Sequence, residues 1–218
     1  MKKIIYLFLL IFLSNCIEKT AKTPVTTVSD CELLGQQLEP ENDTYKLEFS
    51  DVEVAEIKID GENAKIILEK IDSWYYSEKS VRLDWNDPGD FHRIRIEYKD
   101  TTFVFFNQNG WVKTSPFMFD YVPAFPSYNK IKSDCIVLTK NDDDLLLFAF
   151  GYVYANQPGL LSIFNLSLKE PMLLFNDNYM LSGYQENNPN INVTRFFRED
   201  DTDKHETLTL KNHCLYKL

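Results

Sequence analysis

Three histidines stand in this 218-residue chain and are the natural starting point for acid–base chemistry, because unperturbed imidazole changes charge close to neutral pH. His92 opens an apolar stretch after a Pro-Gly turn, His205 lies in an acidic loop, and His213 precedes Cys214. Set beside a serine or the Cys214 thiol, any of them could act as the base that activates a nucleophile. The local signatures that accompany such chemistry are missing: there is no Gly-x-Ser-x-Gly elbow, no His-Glu-x-x-His pair and no glycine-rich phosphate loop. Seven glycines leave few places for a tight catalytic turn. The chain is therefore read as non-catalytic, with a histidine-based hydrolase as the alternative.

Metal chemistry has little to stand on. Asp201 and Asp203 alternate in the acidic run 199–206 as oxygens do in a calcium loop, but the run lacks the turn glycine and the bidentate Glu at the proper offset. The run 141–144 has the same defect, and both read as hairpin tips kept soluble by charge. No Cys-x-x-Cys spacing suggests zinc. No metal and no cofactor are expected.

The segment 115–130 is richer. Phe117, Phe119, Tyr121, Phe125 and Tyr128 are interleaved with Pro116, Pro123 and Pro126, which excludes a central strand. Rings on a proline-stiffened loop offer large contact area at little entropic cost, as a binding surface would. The same rings could instead fold over the end of the domain and be buried. Trp74, Tyr75 and Tyr76 pose the same choice between a stacking platform and core.

The start of the chain carries an address. After Lys2 and Lys3, residues 4–13 are uncharged and apolar; as a helix they would span about 15 Å, half a bilayer core, which is short for a span and right for the apolar region of a secretory signal. Leu13-Ser14-Asn15-Cys16 follows. The segment from Lys2 to Cys16 resembles a bacterial lipoprotein signal peptide. That resemblance implies cleavage before Cys16, acylation of its thiol and new amino group, and anchoring in the lipid bilayer without a spanning helix. Ile17 is not the aspartate that would hold such a protein at the inner membrane, so the outer membrane, facing the periplasm, is the expected site. An ordinary secretory signal is the alternative.

Removing residues 1–15 takes away Lys2 and Lys3 and no acid, so the net charge of −10 becomes −12, with 21 basic against 33 acidic residues. An acidic surface repels anionic lipid and nucleic acid and weakly favours a basic partner. Residues 16–30 read as the lipidated cysteine and a flexible tether, rich in Thr and Lys without an apolar period. Cys31, Cys135 and Cys214 remain as disulfide candidates. In an oxidising compartment one pair is expected, closing a loop of roughly 80 to 180 residues and contributing about 4–5 kcal/mol in the chain-entropy picture.

The elements that must position these groups are strands. Short β-branched or alternating segments recur, such as 45–49, 54–59, 64–71, 92–98, 101–106, 135–139, 145–155, 160–166, 172–176, 191–197 and 206–211, and turn residues bound them. Asp60-Gly61 is a hairpin signal, Lys99-Asp100 links a second hairpin, and Asn109-Gly110 marks another turn. Residues 31–38 could form a helical turn or two before Pro40. The pattern predicts one all-β domain over 31–218, mainly an antiparallel meander in sandwich or propeller-blade-like sheets, with at most one or two short helices and a division between two sheets near 115–130. The expected function is that of a membrane-anchored, non-catalytic binding or interaction module, for instance an inhibitor or immunity-like protein, with a protein or an envelope glycan as partner.

Overall fold

The computed structural model describes residues 31–38, 46–76, 79–82, 91–111, 135–151, 159–197 and 202–218. Residues 31–218 fall in one unit, and the described part of it is all β, without a helix. Its first half contributes β1 (Leu34–Gly35), β2 (Lys46–Ile59), β3 (Glu62–Tyr76), β4 (Lys79–Arg82), β5 (Phe91–Tyr98) and β6 (Thr101–Trp111). Its second half contributes β7 (Ile136–Asn141), β8 (Asp144–Gly151), β9 (Leu160–Asn165), β10 (Met172–Asp177), β11 (Met180–Tyr184), β12 (Asn190–Phe197), β13 (Thr202–Lys211) and β14 (Cys214–Lys217).

Two-residue turns set most registers. Asp60 and Gly61 have φ of 51° and 82°, Lys99 and Asp100 of 49° and 58°, and Asn212 and His213 of 50° and 68°. This left-handed pair is the type I′ turn, whose twist matches that of the strands it joins. Sheet 1 has the order β1-β10-β9-β8-β6-β5-β3-β2, with β4 also on β3 and β7 on β8; sheet 2 runs β11-β12-β13-β14. All pairs are antiparallel except β1 on β10. Among the described residues the halves of sheet 1 meet at the Trp111–Gly151 bridge.

That join is reinforced by a buried polar chain. Trp111 Nε1 donates to Ser162 Oγ at 3.1 Å, Ser162 Oγ donates to Asn176 Oδ1 at 2.8 Å, and Asn176 Nδ2 donates to the Gln36 carbonyl at 2.9 Å. Every member lies inside the protein except the backbone of Gln36, so each bond replaces one that water would have made.

One core packs Ile66, Leu68, Ile94, Ile96 and Trp111 of the first half against Leu147, Ala149 and Phe164 of the second. β8 is buried along its whole length. Its alternate residues face the other way, where Phe148 meets Tyr184 of β11 with ring centroids 5.5 Å apart. A strand covered on both faces has to be apolar without alternation, which is the pattern of residues 145–150.

Several expectations change. Residues 31–38 form no helical turn: Gly35, at φ 94°, runs beside β10, and a Cβ there would come within 2.4 Å of the Asn176 carbonyl oxygen. Asn109-Gly110 does not end a strand; Gly110 lies within β6, where the register with β5 shifts between Phe91 and Arg93 and Asn107 Nδ2 bonds the Gly110 carbonyl at 3.0 Å. The division between sheets falls between β10 and β11, whereas sheet 1 has strands on both sides of 115–130. Half of the expected acidic loop before His205 is strand, because pairing of β12 with β13 reaches Phe197 and Thr202.

Candidate functional site

The three histidines are held in three different settings. His92 is 3% exposed and its Nδ1 accepts the Ile71 N–H at 3.4 Å. Burial lowers its pKa to about 4, so the ring is neutral at pH 7. His205 lies on sheet 2, where Nδ1 is 2.9 Å from the Thr194 hydroxyl. His213 sits in the β13–β14 turn with Nδ1 2.8 Å from Asp144 Oδ1. Asp144 is itself buried and accepts a second bond from Asn165 Nδ2 at 2.7 Å, while the same Asn165 amide donates to the His213 carbonyl at 3.1 Å.

The Asp144–His213 pair has the geometry of the orienting half of a nucleophilic triad, with its imidazole half exposed. Among the described residues no serine, threonine or cysteine side chain is bonded to the second nitrogen of that ring. Ser167, close in sequence to Asn165, is occupied instead: its oxygen accepts the Leu145 N–H at 2.7 Å. The cluster fastens the β7–β8 turn of sheet 1 to the β13–β14 turn of sheet 2.

The cysteines resolve. Cys31 and Cys214 are bonded, with Cα atoms 5.3 Å apart and a separation of 183 in the chain. Cys135, the third candidate, is outside the bridge and buried in the first core. Cys16 and the ring candidates Phe117, Phe119, Tyr121, Phe125 and Tyr128 lie outside the described residues.

Among the described residues, two sheet faces carry exposed polar side chains. On sheet 1, residues alternate with the core positions of β2, β3 and β5 and carry charge. Glu69, with a 6% exposed side chain, accepts Arg93 Nε at 2.7 Å and Arg93 Nη2 at 3.2 Å. Arg95 reaches Glu69 at 3.3 Å, Asp51 at 3.7 Å and Glu97 beside it. The Arg93 guanidinium lies 3.5 Å from the centre of the Phe49 ring, a desolvated cation–π contact.

Sheet 2 differs. Ile191, Val193, Leu208, Leu210 and Leu215 point inward and are buried. The alternate positions Asn190, Asn192, Thr207, Thr209 and Tyr216 form the outer face, as the register pairs Asn190 with Thr209, Asn192 with Thr207, and Thr209 with Tyr216. Thr207 Oγ1 donates to Asn192 Oδ1 at 2.9 Å. Gly183 makes room for the Asn192 amide, since a Cβ there would come within 3.0 Å of Nδ2. Between Asp203 at one end of β13 and Lys211 at the other, this face of β13 has no Asp, Glu, Lys or Arg side chain, and His205 lies on it. Tyr216 is 46% exposed and is the one large aromatic left exposed among the described side chains.

Two further features are charged. At the rim of the inner face, Glu206 is shared by Lys204 and by Lys217 at 3.0 Å, beside the buried Tyr179 ring. Burial alone would raise the Glu206 carboxyl, but the hydrogen bonds from Lys204, Lys217 and Tyr179 together bring it to about 2. An open groove of about 950 Å³ lies between the ends of two hairpins and is lined by Glu56, Glu62, Glu97 and Asp100 against Lys65 and Lys99. Among the described residues no three His, Cys, Asp or Glu side chains could hold a metal ion, and no helix is long and apolar enough to cross a membrane.

No family model, no curated protein and no solved structure matches this chain. The outer face of sheet 2 is thus described by its chemistry alone. Its signal was present in the sequence as the alternation of Asn and Thr with Ile, Val and Leu over 190–194 and 207–210, and of Leu215 with Tyr216. Tyr216 stands apart from the sequence's ring clusters, and only the register of β13 with β14 sets it on a polar sheet face.

Proposed function

We propose that the protein is an envelope lipoprotein, held in the outer membrane by acylated Cys16, whose domain is a non-catalytic binding module facing the periplasm. The observation that carries the binding reading is the outer face of sheet 2, a regular surface of amides and hydroxyls around the exposed Tyr216. The lipoprotein part rests on the resemblance of residues 2–16 and on the uncharged apolar run before Cys16. The histidines support a structural use of imidazole, since His92 is buried and neutral and His213 bonds a carboxylate that joins the two sheets.

A second reading, an envelope hydrolase, is favoured by the Asp144–His213 pair alone. The two diverge in one experiment. Unacylated Cys16→Ala protein is sedimented with isolated envelope fragments, and soluble hydrolysis products are assayed in parallel. The binding module predicts retention that Tyr216→Ala weakens several-fold and His213→Ala leaves unchanged. Product release that disappears in His213→Ala establishes the hydrolase instead. Fatty-acid labelling of the wild type but not of Cys16→Ala is expected; equal labelling removes the anchor.

A further inference from the structure

The chemistry of the outer face of sheet 2 specifies more than a binding role, and the class of ligand it fits rests on the binding-module reading. A partner meets Asn190, Asn192, Thr207, Thr209 and Tyr216, with His205 at one side. None of these residues offers a fixed charge, in a chain of which 26% of the residues are charged. An acidic or basic partner would find counter-ions only at the two ends of β13, Lys211 and Asp203, and desolvating its charge against the neutral sheet between them would be unfavourable. A flat apolar partner would find one exposed ring and the Leu218 side chain opposite Thr207, and would strand the amides and hydroxyls around them. Charge complementarity points to an uncharged partner dense in hydrogen-bonding groups.

The available atoms narrow it again. An Asn amide supplies both donors and an acceptor, and a Thr hydroxyl supplies a donor and lone pairs. The 2.9 Å Thr207–Asn192 bond and the 2.9 Å Thr194–His205 contact fix these groups before any ligand arrives, which lowers the ordering cost of binding. Adjacent strands place such groups about 5 Å apart across the sheet and about 7 Å apart along it. Tyr216 adds an apolar face beside them, suited to the C–H face of a sugar ring. We propose that the outer face of sheet 2 is a binding platform for a neutral oligosaccharide, with Tyr216 stacking on one ring and Asn192, Thr207 and Thr209 bonding its hydroxyl or acetamido groups.

The test is calorimetric titration of the full-length protein in a sugar-free polyoxyethylene detergent. The probes are chitotetraose and maltohexaose as neutral chains, with deacetylated chitotetraose and tetragalacturonate as cationic and anionic controls. At least one neutral chain is expected to bind, with both charged chains weaker by about tenfold or more. Tyr216→Ala and Asn192→Asp should each weaken the neutral chain by about tenfold or more. Val104→Ala, on the charged face of sheet 1, should leave it unchanged. Both substituted side chains are exposed, and circular dichroism spectra that match the wild type certify the fold. Binding of the charged chains as strong as that of the neutral ones overturns the proposal, as does neutral binding indifferent to Tyr216→Ala and Asn192→Asp. Failure of both neutral chains, with Tyr216→Ala still releasing the protein from envelope fragments, overturns the glycan assignment and leaves the binding module standing. If Tyr216→Ala changes neither measurement, both fall.

Discussion

The two open sheet faces of this molecule use opposite electrostatics. On sheet 1 the charges are spent on each other: buried Glu69 holds Arg93 in two bonds and Arg95 in a third, and Arg93 is stacked on Phe49. Such a face is already satisfied and has little to give a partner. Its long edge strand β2 adds register shifts at Glu48/Phe49 and Asp51/Glu53, devices that discourage another chain from pairing with an edge. On sheet 2 the outer face leaves amides, hydroxyls and one ring uncommitted to any ion pair. The lesson is that exposure alone does not mark a docking face. What marks it is polar capacity that is not consumed in ion pairs.

The comparison breaks most easily at the disulfide. Cys31–Cys214 ties β14, an outer strand of sheet 2, to the chain just ahead of β1 in sheet 1. Replacing both cysteines by serine should cost about 2–5 kcal/mol, because the unfolded chain regains a closed loop's freedom. Denaturant titration measures the total, and hydrogen exchange measures where it falls. Protection should drop first in β12–β14 and last in β3 and β5. Loss that begins in β3 and β5 would show that sheet 2 does not hang on this bridge.

Acid separates the sheets next. His92 of sheet 1 has its pKa lowered from 6.5 to about 4 by burial, so the unfolded chain binds its proton more readily than the folded one. That contribution is fully present above pH 6.5 and is lost as pH falls toward 4, a decline of about 3 kcal/mol from this one group. Glu206 of sheet 2, lowered from 4.5 to about 2, contributes above pH 4.5 and loses its share only between there and 2. Stability measured against pH should therefore fall in two stages. His92→Gln should flatten the upper stage and Glu206→Gln the lower one. A wild-type profile level between pH 6.5 and 4 would show that His92 is not desolvated as its burial implies.

The hairpins were legible where turn chemistry is local. Asp60-Gly61 and Lys99-Asp100 sit between alternating runs, and both close two-residue turns. Asn109-Gly110 carried a comparable turn signal and became an irregularity inside β6, because the strand it interrupts is held by pairing with Phe91 that no local pattern reveals. β11, Met-Leu-Ser-Gly-Tyr, has neither alternation nor a β-branched residue and is a strand only because β12 lies beside it. The choice among three cysteines depends on where β14 ends in space. The neutral face was legible in alternation and illegible in meaning: a Thr, Asn and Tyr stripe becomes a surface only once the register aligns Asn192 with Thr207 and Thr209 with Tyr216.

The smallest effects sharpen the comparison through two turns of the same geometry. Asp100 at φ 58° and His213 at φ 68° each occupy the second place of a left-handed pair, a conformation that is unfavourable for a residue with a Cβ and free for glycine. Asp100→Gly should stabilise by about 0.5 kcal/mol, the backbone relief being partly offset by the added freedom of the unfolded chain. His213→Gly obtains the same relief but removes the imidazole 2.8 Å from Asp144, a buried carboxylate then left with the Asn165 amide. It should destabilise by about 1 kcal/mol. The opposite signs would show that the β5–β6 turn only reverses the chain, whereas the β13–β14 turn also fastens sheet 2 to sheet 1. Equal gains in both variants would mean that the Asp144–His213 contact adds nothing to that junction, and that the platform on sheet 2 is held by the disulfide, the apolar core and the bonds of Thr139 to Tyr184 and of Asn141 to the Asn188 carbonyl.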